Sequence, residues 1–238
     1  MGGNEVTTSA LFNPALVALS EKRSIHINYY NRFALEELGT VSGSFFLPNP
    51  ILSGGIHISS FGYDAYRESL FRLLLGKQLS KRWTLGISIQ YALLQTELFE
   101  DTQPAQLSTD VGLTYSPVNK LLIGLLIMNY PSVSIASESL ENREFMYYLM
   151  QIGFQWQVIN RVFISATLEG GEARAIGGGL GIEYKPFDDF SLRAGVKGSP
   201  ILPSFGCGYR FSSFAVDAAA VYHPVLGMST GVGFSYSF

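Results

Sequence analysis

Residues 228–238 are Met228-Ser229-Thr230-Gly231-Val232-Gly233-Phe234-Ser235-Tyr236-Ser237-Phe238. Every second position is Met, Thr, Val, Phe, Tyr or Phe, and only serine and glycine stand between them. Successive side chains on a strand point to opposite faces. This strand therefore has one apolar, aromatic face and one face of small groups. A strand of a water-soluble sheet backs its apolar face with a charged, solvated one. An apolar face backed by small groups fits a barrel whose outside meets lipid. Such a barrel has to close, so the last strand needs a partner near the start of the chain.

Composition points the same way. At 238 residues the chain suits one all-β domain, and only 15% of it is charged, too little for a disordered chain. The net charge of −3 argues against a nucleic-acid partner. No apolar run approaches the roughly 20 residues of a spanning helix, and the longest candidate is Leu121 to Met128. A membrane crossing must then be made by a closed barrel. Cys207 stands alone, which excludes an internal disulfide and a cysteine-based metal site.

Working back from the end, about fourteen short alternating runs fill residues 24–238, a number known among transmembrane barrels. In one, Trp83, Leu85, Ile87 and Ile89 oppose Thr84, Gly86, Ser88 and Gln90. In another, Phe205, Cys207, Tyr209 and Phe211 oppose Ser204, Gly206, Gly208 and Arg210. Runs are expected at 120–130 and 144–157 among the rest, and the run at 24–33 is the expected partner of the last strand. An even count puts both ends of the barrel on one side. The two longest connections, Leu98 to Ala105 and Pro131 to Arg143, then fall together on the other side, as outer loops. Residues 1–23 stand apart: Asn13 is placed to cap a short helix with Pro14 at its first position.

The opening Met1-Gly2-Gly3, the stretch Ala10-Leu11-Phe12-Asn13-Pro14-Ala15-Leu16 and the strand count resemble the FadL superfamily of outer-membrane barrels, including the PorV- and PorQ-type proteins of Bacteroidota. The resemblance implies that Asn13, Pro14 and Ala15 belong to a plug segment (1–23) folded into a barrel domain (24–238). It implies the outer membrane of a Gram-negative bacterium, with a signal peptide already removed. Phe234, Tyr236 and Phe238 match the C-terminal signal by which such barrels reach their assembly machinery. The outer connections are brief for a fatty-acid transporter. The function expected is therefore an accessory subunit of an envelope complex for secretion or outer-membrane protein assembly. The alternative is FadL-like transport of hydrophobic small molecules. The partners expected are outer-membrane lipid and other outer-membrane or periplasmic proteins.

Alternation places Arg72, Asp110, Glu183, Arg193, Arg210 and Asp217 on inward faces, with Asn28, His57, Gln90, Gln151 and Gln155. They could line a permeation path or neutralise one another around the plug. Inward glycines would make room for that plug. Leu121 to Met128, with Phe145, Tyr147 and Leu149, would make two neighbouring inner faces apolar. Acids including Glu36, Glu100, Asp101, Glu138, Glu141 and Glu169 are expected on outer loops, and bases including Lys77, Lys120 and Lys185 on the opposite turns. His26, His57 and His223 show no metal-ligand spacing. Gly177-Gly178-Gly179-Leu180-Gly181 lacks the lysine of a phosphate loop. No cofactor, metal or catalytic set is expected.

Overall fold

The computed structural model describes residues 10–97, 103–135, 146–172, 174–198 and 200–238. Met1-Gly2-Gly3, Phe145 and the acids Glu100, Asp101, Glu138 and Glu141 lie outside them. The alternating runs form antiparallel strands: β1 (Ser24–Asn31), β2 (Gly39–Leu47), β3 (Ser53–Tyr63), β4 (Tyr66–Gln78), β5 (Trp83–Thr96), β6 (Ala105–Val118), β7 (Leu121–Met128) and β8 (Ser132–Ser134). They continue as β9 (Leu149–Ile159), β10 (Val162–Gly171), β11 (Arg174–Phe187), β12 (Phe190–Lys197), β13 (Leu202–Phe211), β14 (Phe214–His223) and β15 (Gly227–Ser237). Sequence neighbours pair around the wall, and the ring closes between β1 and β15. The closing register sets Ile25 opposite Tyr236, Ile27 opposite Phe234 and Tyr29 opposite Val232. One outward apolar face therefore continues across the seam.

The fifteen segments fill fourteen positions, because β7 and β8 both pair with β6. The expected run at 120–130 breaks at Asn129, whose φ of 57° is left-handed. Pro131 beyond it has no N–H for a ladder. The expected run at 144–157 also shifts, starting only at Leu149. The chain before it bonds elsewhere. Met146 donates its N–H to the Gln106 side chain (3.0 Å) and accepts from the same amide (3.1 Å). The Tyr147 carbonyl accepts from Asn129 Nδ2 at 2.9 Å. Residues 146–147 are thus a strap fixed to inward side chains.

The outside carries exposed apolar side chains on every strand, Ile27, Ile58, Ile89, Phe154 and Phe234 among them. At the end where β1 begins and β15 stops, Trp83 stacks on Tyr115 (4.3 Å between centroids), and Tyr236 lies between Phe214 (4.7 Å) and Phe238 (5.7 Å). Apolar bands edged by aromatics are what lipid-facing barrels carry. No described helix is long and apolar enough to cross a membrane.

The interior holds a 3₁₀ helix, Pro14–Leu19. Asn13 Oδ1 accepts the Ala15 N–H at 3.0 Å, and Asn13 Nδ2 donates to the Leu125 carbonyl at 3.1 Å. One side chain thus caps the helix and ties it to β7. The helix packs on β4, β5 and β6. Its Val17 forms a buried cluster with Ala10 and Phe46, flanked by Leu11 and Leu16. The close approach depends on glycine: a Cβ on Gly86 would overlap the Pro14–Ala15 backbone, and one on Gly112 would overlap Asn13.

Candidate functional site

The lumen has a filled half and a hollow half. In the filled half, Arg72 of β4 donates from Nε and Nη2 to Gln90 Oε1 (3.0 and 2.7 Å) and from Nη1 to the Leu11 carbonyl (2.8 Å). Gln90 passes its amide hydrogens to Asp110 Oδ1 (3.0 Å) and to Asn129 Oδ1. Asp110 also accepts from Ser88 Oγ at 2.6 Å and the Asn129 N–H at 2.9 Å, and lies 3.9 Å from Arg72. Gln90 and Asp110 are 0% and 1% exposed. A buried carboxylate persists when several donors and a cation satisfy it, and Asp110 has all of these. The network joins the plug, through Leu11, to the wall and, through Asn129, to the strap.

The hollow half runs along β10 to β15. There Arg193 of β12 donates from Nε to Glu183 Oε2 (2.9 Å) and from Nη1 to Asp217 Oδ1 (2.6 Å). Lys185 closes on Glu183 at 3.2 Å, and Lys197 on Glu169 at 2.7 Å. Two cavities meet at this cluster. One, of about 280 Å³, lies toward the end holding Phe238, with Leu16, Leu19, Leu122 and Arg210 on its walls. The other, of about 710 Å³, lies toward the opposite end, against Phe12, Tyr30, Ser165, Ser204 and Ala219. Both border Asn28, Gln155, Glu183, Arg193 and Asp217.

The six charged residues expected inside thus separate into groups. Arg72 and Asp110 belong to the filled half. Glu183, Arg193 and Asp217 form one cluster between the cavities, and Arg210 lies on the smaller cavity. Asn13, Pro14 and Ala15 sit at the start of the inner helix, and Phe234, Tyr236 and Phe238 face outward, exposed. Glu169, expected on an outer loop, is buried on an inward face and pairs with the exposed Lys197, and Lys185, expected in a turn, folds back to Glu183. Strand parity carried both signals, since each shares the inward face of its strand. The paired apolar inner faces form only at one end. β7 offers Leu122, Leu126 and Met128 inward, but of the expected apolar residues of β9 only Leu149 joins them, opposite Met128; Gln151, Gly153 and Gln155 follow it, and Tyr147 lies outside the strand. The histidines serve locally. His26 Nε2 meets Ser24 Oγ (3.0 Å), His57 Nδ1 meets Ser44 Oγ (2.8 Å), and His223 Nδ1 accepts the Val225 and Leu226 N–H groups (3.2 and 3.1 Å).

Neither a family model nor a curated protein matches the sequence. Solved structures do. The CymD monoaromatic hydrocarbon channel superposes with a TM-score of 0.69 at 12% identity, over 97% of this chain and 92% of that one. The Pseudomonas putida toluene transporter TodX gives 0.68 at 13%, over 97% and 94%. A Pseudomonas aeruginosa FadL homologue gives 0.60 at 14%, over 97% and 93%. At such identities the likeness establishes the fold: this chain is a closed fourteen-strand barrel built as its hydrocarbon-channel and FadL-homologue neighbours are.

Proposed function

We propose that this protein lies in a bacterial outer membrane and lets small, mainly hydrophobic molecules through its hollow half. The observation that carries this is the meeting of two cavities along β10 to β15, beside a filled half that stays shut. The fold shared with hydrocarbon channels supports the same reading. The charges where the cavities meet are paired within the wall, so they set up little unbalanced field across the path. The accessory-subunit expectation draws no support from these neighbours, and the finer likeness to PorV- and PorQ-type barrels rests on Asn13-Pro14-Ala15 with the strand count.

The test is uptake. The barrel is expressed in a Gram-negative host stripped of its own hydrophobic-uptake barrels, and entry of radiolabelled toluene is followed. Faster entry than in the empty-vector strain is expected. Equal entry, with the barrel folded in the outer membrane, overturns the proposal. A stable stoichiometric complex after mild detergent extraction would return the accessory-subunit reading to first place.

A further inference from the structure

The larger cavity has a chemistry of its own. Phe12 lines it and is 72% exposed, although it belongs to the segment leading into the inner helix. Leu11 beside it is anchored through its carbonyl to Arg72. An aromatic ring held from a fixed backbone and left open to a cavity is a platform for an apolar guest. Across the cavity, a row runs over four strands as Ser165, Gly181, Gly195 and Ser204, in direct register. The two glycines form a recess between two hydroxyls. It is shallow enough that a Cβ on Gly181 would come 2.7 Å from Ser165 Oγ, and one on Gly195 would come 3.0 Å from Ser204 Oγ.

The charges bordering this cavity are spoken for. Arg193 holds Glu183 and Asp217, and Lys197 holds Glu169. An incoming carboxylate would find each bordering cation already bound to carboxylates, so it would gain no ion pair for the water it sheds on the aromatic platform. An incoming ammonium would have to compete with those cations for their carboxylates. A plain hydrocarbon would cover these hydroxyls without replacing the hydrogen bonds that water makes to them, a cost that an oxygenated guest does not bear. An uncharged guest carrying a hydroxyl or carbonyl meets both demands. The volume of about 710 Å³ falls within the usual range of small-molecule sites.

We infer that the larger cavity is a binding site for an uncharged hydrophobic molecule bearing one hydroxyl or carbonyl, its apolar body on Phe12 and its oxygen on the hydroxyl of Ser165 or of Ser204. This rests on the transport reading and adds to the path a site that favours oxygenated, neutral passengers over plain hydrocarbons, which pass without being held there.

Three probes of one shape separate the classes: 2-naphthol, naphthalene and 2-naphthoate, at pH 7. The readout is the labelling rate of a thiol placed in the cavity by Ala219→Cys, with lipid-facing Cys207 removed by Cys207→Ala, in the full barrel in nanodiscs. Folding of each variant is checked by heat-modifiable gel migration. At saturation 2-naphthol slows labelling by about tenfold, the factor that 1.4 kcal/mol of protection gives, while naphthalene and 2-naphthoate leave it unchanged. Added Phe12→Ala abolishes the protection, and added Ser165→Ala with Ser204→Ala brings 2-naphthol down to naphthalene. Equal protection by 2-naphthoate overturns the neutral class, and equal protection by naphthalene overturns the hydroxyl site. Flux of 2-naphthol into proteoliposomes separates the two readings. Flux without protection, or flux and protection both indifferent to Phe12→Ala, leaves the path standing and removes the site. Protection without flux keeps the site and removes the path.

Discussion

The walls β4–β6 and β10–β13 are built from the same pattern, with apolar side chains outside and small or polar ones inside. Their interiors differ completely. Inside β5 and β6, Thr84, Ser88, Gln90, Ser108, Asp110 and Thr114 are all buried, because the inner helix and the strap lie over them. Inside β10 to β13, Ser165, Gly181, Gly195 and Ser204 border open space. The ion pairs follow suit: the side chains of Arg72 and Asp110 are 10% and 2% exposed, those of Arg193 and Asp217 36% and 45%. Alternation decides what faces outward. It does not decide what fills the middle, which depends on a segment outside the sheet.

Removing one carboxylate from each half breaks this contrast open. Asp110→Ala strands Arg72 in a dry site and leaves Ser88, Gln90 and the Asn129 N–H without their shared acceptor. Loss of about 3–5 kcal/mol is expected, the usual cost of breaking a buried pair, read from denaturant unfolding in detergent. A loss as small as that of Asp217→Ala would show that the filled half is wetter than its geometry implies.

A second pair of variants tests filling directly. Gly86→Val drives a Cβ into the Pro14–Ala15 backbone, where neither side can yield. Overpacking of this kind costs about 1–3 kcal/mol, enough to loosen the helix from its seat and raise ion conductance in planar bilayers. Gly181→Val meets the Ser165 hydroxyl, which can rotate away, and otherwise only the Ala194 carbonyl at an ordinary 3.8 Å. It should leave stability within about 0.5 kcal/mol, as surface substitutions do. Matching effects from the two would remove the distinction between the halves.

The residues show why the sequence disclosed the wall better than its contents. Strand parity is a local property, so Asp110, Arg193 and Asp217 could be set inside from their neighbours alone. The seam between β1 and β15 followed from closure. Which inward residues meet depends on strand stagger and on the inner helix. That Arg72 would reach Asp110 and Leu11, while Arg193 would bridge Glu183 and Asp217, is not written in any one strand. The break at Asn129 has a local cue in the following Pro131, but the strap that replaces the missing ladder bonds is a long-range arrangement. Phe12 had no periodic neighbours to give its direction. It was legible only as part of a segment.

Asn13 begins the inner helix and ties it to β7. Asn13→Ala removes the helix cap and the tie to the Leu125 carbonyl. Cap removal alone costs about 0.5–2 kcal/mol. The loss should appear as faster proteolysis of the first 23 residues with the barrel intact. Unchanged proteolysis would mean that Arg72, through Leu11, holds the segment unaided.

A small effect is also expected at the centre of the hollow half. Arg193→Gln leaves Glu183 and Asp217 facing one another, yet Glu183 keeps Lys185 at 3.2 Å and Asp217 keeps access to water in the cavity. Solvated pairs are worth about 0–1 kcal/mol, so the loss should fall in that range. Its salt dependence is the sharper measure. Ions entering an aqueous cavity shorten the reach of the two carboxylates, and at molar salt the Debye length is only about 3 Å. The Arg193→Gln loss should therefore fade between low and molar salt. The Asp110→Ala loss should not, because ions cannot enter the filled half. If both losses fade together, salt reaches both sides and the lumen is one wet channel. If neither fades, the cavities around Arg193 are closed to solvent, and the hollow half cannot conduct as it stands.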